Sequence, residues 1–528
     1  MSLEAILPAR RDAALFLGSL AAASALLVWS YSQDLPARVG VAYHHVASVR
    51  ELARGEFPPA NNLVPGHTPV GHYGPYLVVL GLVARTTGAE PLALLEAAGF
   101  ALFVAYLLLF RALAARLVSP AAANWTVPAT LLLWGPWLAT EMPWVAWGWP
   151  GSTSAADAQG FFYPQHAAMV LLLLLLRLGL DGWSWPRSAL LVVLAALLIT
   201  THAYTGLALG AALFALVLAG RLRRQLPAAR AALLLLVPLL GLLLAGAWPY
   251  YPVWRLLAAF SEEALRQPLP TVAPAVPSRP PPQQASLAST SPSPAPAPSP
   301  PVHRAIDWAA ALAPAWNILG PALLGLVGGV LLARRGQPFA LLWSLVALGV
   351  ALAPLIPLRE RLVMFAATPL HLGAVALLER LWLRRWLGRI AVVVVLLSAG
   401  LVSWRRLEFV RDLPLLDLRF IAAVTPENAV IVAPDGLANV VAGQTGRKVL
   451  CPEGPDLFLI FADGVERLAD SRAFYQGRTS PERREQILRR WSVTHVLVDQ
   501  FAGFPGTPPG RRVAERDGLA LYDVRELW

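Results

Sequence analysis

The chain has 528 residues, 56% of them apolar and only 14% charged, with a mean hydropathy of +0.55. Soluble proteins carry roughly 25% charged residues, so an ordinary water-soluble enzyme is excluded; blocks such as 168–176 and 231–244 require a bilayer as solvent. The net charge of +11 is almost all arginine, with Lys448 the only lysine, and a single cysteine, Cys451, excludes an intrachain disulfide, a zinc ribbon and an iron–sulfur site.

A helix that crosses the hydrocarbon core needs roughly 20 apolar residues, about 30 Å at ~1.5 Å per residue. On that basis the sequence predicts a mainly α polytopic membrane protein of eleven spans, near 13–31, 92–113, 122–140, 163–180, 188–201, 203–220, 231–250, 312–333, 338–356, 362–378 and 388–404. Arg10 and Arg11 precede the first apolar run, which has no small-residue cleavage site before Asp34 and is therefore expected to be retained as a span. Residues 73–86 are apolar but short, which suits an outer juxtamembrane or re-entrant helix. The run 188–220 is interrupted by His202-Ala203-Tyr204-Thr205-Gly206, with arginines flanking both ends, and reads as a hairpin of two helices.

Charge then fixes the expected orientation. Residues 405–528 hold 17 basic and 17 acidic groups, so the whole excess lies in residues 1–404. With the N-terminus cytoplasmic, sixteen arginines and four acids fall on inner loops, and ten arginines and eleven acids fall on outer ones. Eleven spans place the C-terminus outside. Membrane topology accounts for the basic balance, and no nucleic-acid partner is needed.

The outer segments carry most of the polar character. Loop one, 32–73, contains an expected helix over 41–54, stopped by Gly55 and the proline pair Pro58–Pro59. Loop 141–162 mixes interfacial tryptophans with Glu141 and Asp157. Residues 268–301 include 13 prolines and read as an outer linker. Beyond a transmembrane domain of residues 1–411, residues 412–528 read as a soluble extracytoplasmic α/β domain. Strands are expected at 429–433, 493–498 and 519–524, and a helix capped at Ser480-Pro481 runs to Trp491.

Six of the nine histidines, His44, His45, His67, His72, His166 and His202, fall on the outer side or at outer helix ends. With Tyr73 they are candidates for a polar substrate-binding cavity, in which loop one covers the mouths of the spans near Tyr163 and Thr201. Comfort of imidazole at an interface is the other reading. A divalent metal held by these histidines with Asp34 is a further reading, and their spacing matches no compact ligand motif. Asp34 directly follows the first span; it reads either as a general base beside apolar walls or as a helix-end group facing water. Arg359-Glu360-Arg361 opens the span at 362–378, where a planar guanidinium can hold a lipid phosphate or form an interfacial ion pair.

Several segments together resemble the GT-C glycosyltransferases, the superfamily of protein mannosyltransferases and lipid A aminoarabinose transferases. They are the acid in a long first outer loop, the helix ending Leu52–Gly55, Gly66-His67-Thr68-Pro69, Tyr73-Gly74-Pro75-Tyr76-Leu77 and Phe162-Tyr163-Pro164-Gln165. Thr201–Gly206 and Arg359–Arg361 before Phe365–Leu370 complete the set. The likeness is to poorly characterised prokaryotic relatives with a C-terminal outer α/β domain. It implies inverting transfer of a sugar from a polyprenyl-phosphate donor to an extracytoplasmic glycan, lipid or protein at the cell membrane. The first-loop acid, Asp34 here, would be the base, and Arg359 or Arg361 would hold the carrier phosphate. Many members have two adjacent acids in this loop, whereas Gln33 and Leu35 flank Asp34. Glu51, Glu56 and Asp157 are accordingly the substitute carboxylates. The competing classes are a non-catalytic transporter or lipid-handling protein and a relative with the fold but no activity.

Overall fold

The computed structural model describes residues 13–38, 43–55, 59–66, 73–132, 163–181, 184–250, 253–254, 319–352, 360–384, 386–394, 396–397, 404, 411, 415–434, 436–452 and 463–527. The proline-rich stretch 268–301, the whole of loop 141–162, Arg10 and Arg11 lie outside these residues.

The amino-terminal part is a helical bundle. Helix α1 (Ala13–Ser32) is followed by the single turn α2 (Leu35–Arg38), and loop one forms α3 (Tyr43–Arg54) and α4 (Pro75–Thr87). Proline at the first position starts α4, and Gly88, at a φ of 69°, ends it in the left-handed conformation that glycine adopts without cost. At 13 residues α4 is about 20 Å long, too short to cross the hydrocarbon core. Helix α5 (Pro91–Leu117) is the longest, and the Glu90 side chain caps it by accepting from the Ala93 amide at 3.0 Å.

Next come α6 (Thr126–Leu132), α7 (Pro164–Gly179), α8 (Trp185–Thr201), α9 (Ala203–Leu222) and α10 (Ala228–Ala245). His202 has extended backbone angles (φ −157°, ψ 105°) and separates α8 from α9, so the expected hairpin is present. Further along come α11 (Leu319–Arg334), α12 (Phe339–Leu352) and α13 (Glu360–Trp382). Glycines let α11 and α13 meet backbone to backbone, Gly325 and Gly328 lying against Leu370 and Gly373. Among the described residues, four helices are long and apolar enough to cross a membrane: Ala14–Ser32, Pro91–Leu117, Ala203–Leu222 and Ala228–Ala245. Helix α10 leaves Leu235, Leu239 and Leu243 exposed, an apolar outer face suited to lipid.

Contacts define the two ends of the bundle. Arg230 donates to Gly179 O at 2.8 Å and Arg177 pairs with Asp181 at 2.6 Å, which joins the end of α7 to the start of α10. Ser119, just past α5, donates to Glu379 of α13 at 2.8 Å. At the other end, a Cβ on Gly74 would stand 2.5 Å from Thr200 O, and Trp248 Nε1 donates to Tyr73 O at 2.9 Å. Loop one therefore covers the end at which α8 and α10 finish and α7 and α9 begin.

The carboxy-terminal part is a five-stranded sheet with flanking helices. Its strands are β1 (Val430–Val432), β2 (Lys448–Val449), β3 (His495–Asp499), β4 (Arg511–Arg516) and β5 (Leu519–Asp523), in the order β2-β1-β3-β5-β4. The first three are parallel; β5 runs antiparallel to β3, and β4 antiparallel to β5. Its helices are α14 (Arg419–Val424), α15 (Ala438–Thr445), α16 (Gly464–Tyr475) and α17 (Pro481–Arg490). Ser480 caps α17 as its sequence leads one to expect. Three strands sit where the β-branched runs place them. The two-residue β2 and the charged β4 (RRVAER) carry no such signal.

Candidate functional site

The site is assembled where loop one meets the bundle. Asp34 stands at the end of α1 with a φ of 54°, one of four non-glycine residues in the left-handed region among the described residues. Aspartate tolerates that conformation better than most residues. Its main chain joins two helices, since its amide donates to Tyr31 O at 3.0 Å and its carbonyl accepts from Arg38 at 3.1 Å. The side chain is exposed and lies within electrostatic reach of Tyr43 on α3 and Glu96 on α5. Glu90 shares that neighbourhood, and Arg50 approaches it at 3.7 Å. Neither Glu90 nor Glu96 stands out in the sequence, because a lone acid in the first turns of an apolar helix reads as a cap.

The four described histidines of the outer set converge through aromatic contacts. The rings of His44 and His45 lie 3.7 Å apart, His45 is 5.3 Å from Tyr163, and Tyr163 stacks on His166 at 5.9 Å. His202 is within electrostatic reach of His166; its Nδ1 is 2.9 Å from Thr205 Oγ1, and its ring lies 5.9 Å from that of Tyr204. Residues from α3, α7 and α9 thus form one polar–aromatic row at the covered end of the bundle. His166 is buried and His202 half-buried. Imidazoles and phenols in an apolar wall are hydrogen-bonding groups suited to a polyhydroxylated ligand.

Tyr73 also lies at this end of the bundle, where its carbonyl accepts from Trp248. It is fully buried, donates to Ala60 O at 2.5 Å, and burial pushes its phenol well above the ordinary range. It remains a neutral donor at all physiological pH values. Glu51 is also buried, but its Oε2 already accepts from Lys448 Nζ and Arg54 Nη1, each at 2.9 Å. Glu56, His67, His72, Asp157 and Arg359 lie outside the described residues. Arg361 falls in the first turn of α13, though its side chain is also outside them.

The direction of α13 can still be read from its contacts. Thr368 lies beside Tyr106 and Glu379 beside Ser119, so α13 runs alongside α5 in the same sense. Its first turn is therefore at the end of the bundle that holds Pro91 and Asp34. Among the described residues, no three His, Cys, Asp or Glu side chains come together as ligands for a metal ion.

No family model matches the chain, and no curated protein matches it in sequence. Solved structures do. The apo form of the Archaeoglobus fulgidus oligosaccharyltransferase matches with a TM-score of 0.50 at 13% identity, over 90% of this chain and 69% of that one. The same archaeal enzyme, AglB, in complex with an inhibitory peptide and a dolichol-phosphate matches at 0.51, with 13% identity and 92% and 69% coverage. Its form tethered to an acceptor peptide containing the NVT sequon gives the same values. At this identity the likeness is one of fold, and it extends across the helical bundle and the carboxy-terminal sheet. The chain thus shares the fold of these oligosaccharyltransferase structures.

Proposed function

We propose that the chain is a membrane glycosyltransferase that moves a sugar from a polyprenyl-phosphate donor to an acceptor outside the cytoplasm. The observation that carries this reading is the fold shared with an oligosaccharyltransferase over nine-tenths of the chain, with Asp34 and the histidine row at the end covered by loop one. The dolichol-phosphate and the peptides bound by that neighbour support a lipid-linked donor, and a peptide is one acceptor to try first.

In the proposed reaction the acceptor oxygen attacks the anomeric carbon on the face opposite the phosphate, and its proton passes to the Asp34 carboxylate. The bond from the anomeric carbon to the phosphate oxygen breaks, and the polyprenyl phosphate leaves with the electron pair. The configuration inverts. Charge develops on the departing phosphate, so a cation must be held there. Arg361 or Arg359 is assigned that role, since both adjoin the N-terminus of α13, where the helix dipole also favours an anion. His44, His45, His166, His202 and Tyr163 would hold the sugar. Glu51 is occupied by its two cations, so Asp34 is assigned as the base, with Glu56 and Asp157 as the substitute carboxylates. The transmembrane part is assigned to residues 1–411 and the outer domain to 412–528, with the site at the outer headgroup level, where a lipid-tailed donor can reach it.

The test is transfer of label from a polyprenyl-phosphate sugar by the purified chain. Asp34→Asn is expected to lower turnover by roughly 10²–10⁴-fold, the usual worth of a positioned base, with expression unchanged. Undiminished transfer by that variant would remove Asp34 from its role. A deletion strain whose glycans and glycolipids are identical to those of its parent by mass analysis would count against the enzyme reading as a whole.

A further inference from the structure

Helix α3 presents two opposite faces to two different partners. Tyr43, Ala47, Arg50 and Arg54 recur at helical spacing on one face, which lies against α15 of the sheet unit. His45 and Leu52, seven residues apart, lie on the other. There His45 meets Tyr163 of α7, and Leu52 packs against Gly81 of α4. Whatever holds the first face sets the rotation of the second.

Five kinds of contact tie the first face and the rest of loop one to the sheet unit. Arg50 donates to Gly443 O and Arg54 to Gly446 O, so two guanidiniums cover the carbonyl end of α15, where the helix dipole is negative. Glu51, with its side chain 6% exposed, is clamped between Arg54 and Lys448, the only lysine in the chain. The Val449 amide donates to Leu63 O at 2.7 Å, so loop one supplies a partner to β2, the edge strand of the parallel part. Tyr43 and Gly443 approach so closely that a Cβ on the glycine would stand 2.5 Å from Tyr43 Cβ and 2.6 Å from its carbonyl oxygen. Gln444 Nε2 donates to Tyr43 Oη at 2.8 Å while its Oε1 accepts from Leu418. A buried ion pair adds little net stability, because desolvation offsets its attraction, but it tolerates only one geometry.

We infer that the carboxy-terminal sheet unit is a splint for loop one, with Lys448, Glu51 and Gly443 as positioning residues that fix where His44 and His45 stand against Tyr163 and His166. The consequence for turnover rests on the glycosyltransferase reading; the splinting itself does not. A displaced histidine pair would fail the transition state more than it would weaken donor binding, so the effect belongs in kcat rather than KM.

The experiment compares the full chain with Lys448→Met, Lys448→Arg and Gly443→Ala in detergent, by hydrogen exchange and by sugar transfer. Lys448→Met and Gly443→Ala are expected to speed exchange in residues 43–66 while β3 and β5 stay protected. They should also lower kcat, by up to about 10²-fold, the loss that a misplacement of about an ångström can cause, with KM for the donor little changed. Lys448→Arg should restore both. Unchanged exchange in 43–66 overturns the splint, and so does faster exchange spread equally over β3 and β5, which would mean only a less stable fold. Local loosening with unchanged kcat overturns the positioning role. A wild-type chain with no transfer activity refutes the glycosyltransferase reading instead, and the exchange data still decide the splint.

Discussion

His495 shows how burial converts one side chain into a pH response. It lies in β3 with no exposure, its Nδ1 2.8 Å from Thr494 Oγ1 and its backbone in register with Asp523 on β5. Burial lowers its affinity for a proton below the ordinary value of 6.5, and the Asp523 carboxylate only partly opposes that. Above 6.5 both the folded and the unfolded chain hold a neutral imidazole, and stability does not depend on this group. Below it the unfolded chain takes up a proton that the folded one resists, so stability falls, by at most about 1.4 kcal/mol per pH unit for one proton. Thermal unfolding of the sheet unit is therefore expected to shift to lower temperature between pH 7 and pH 5, with a flatter dependence in His495→Gln. Equal slopes for the two proteins would assign the acid response to other groups. At the same scale, the convergence of His44, His45, His166 and His202 was legible in part. Their placement at helix ends follows from the sequence, but which rings touch depends on the rotation of α3, which the proposed splint assigns to residues some 400 positions away.

Helices and strands were legible wherever a single physical signal dominated. Apolar runs of span length, proline at helix starts and the break at His202 mark elements that the structure contains; α10, for instance, covers Ala228–Ala245 against an expected 231–250. Strands with buried β-branched residues were equally plain. Strand β2 has only two residues and is held by loop one, while β4 is a charged edge. Neither carries an alternating pattern, so tertiary contact alone makes them strands. The α11–α13 pair shows the opposite case, in which composition is the mechanism. A methyl group on Gly373 would run into Gly325 O, and both sides of that contact are main chain, which cannot step aside. Gly373→Ala is expected to cost about 1–3 kcal/mol, the usual range for overpacking, measured as a lower unfolding temperature in detergent. Gly349→Ala in the neighbouring α12, where a Cβ has open space, is the control and should be neutral or slightly stabilising. If the two variants melt alike, the helix pair does not depend on its glycine contact.

For the whole molecule, charge and contact lead independently to the same proposed orientation. The arginines at the helix ends, among them Arg177, Arg221, Arg230, Arg334 and Arg380, lie at the end of the bundle opposite Asp34, His202 and Trp248. The positive-inside rule assigns that arginine-rich end to the cytoplasm. Loop one and the sheet unit are joined at the other end through Glu51, Lys448 and the Leu63–Val449 bond, so both must lie on one side of the membrane. Helix α4 bears on this, because a crossing there would exchange the sides of all that follows. Its start is held against Thr200 and Thr201, and Arg85 near its end donates to Gly55 O of loop one at 3.4 Å. Both ends of a 13-residue helix thus touch groups at the covered end of the bundle, and Val79, Leu82 and Val83 present an apolar edge suited to the interface. A reporter that is active only outside the cytoplasm is therefore expected to work when fused after Trp528 and to fail when fused within the turn at Arg223. Activity at both positions would mean that the number of crossings differs by an odd count both before and after Arg223. A silent fusion after Trp528 would put the sheet unit, and with it loop one and Asp34, on the cytoplasmic side, where the proposed donor geometry does not hold.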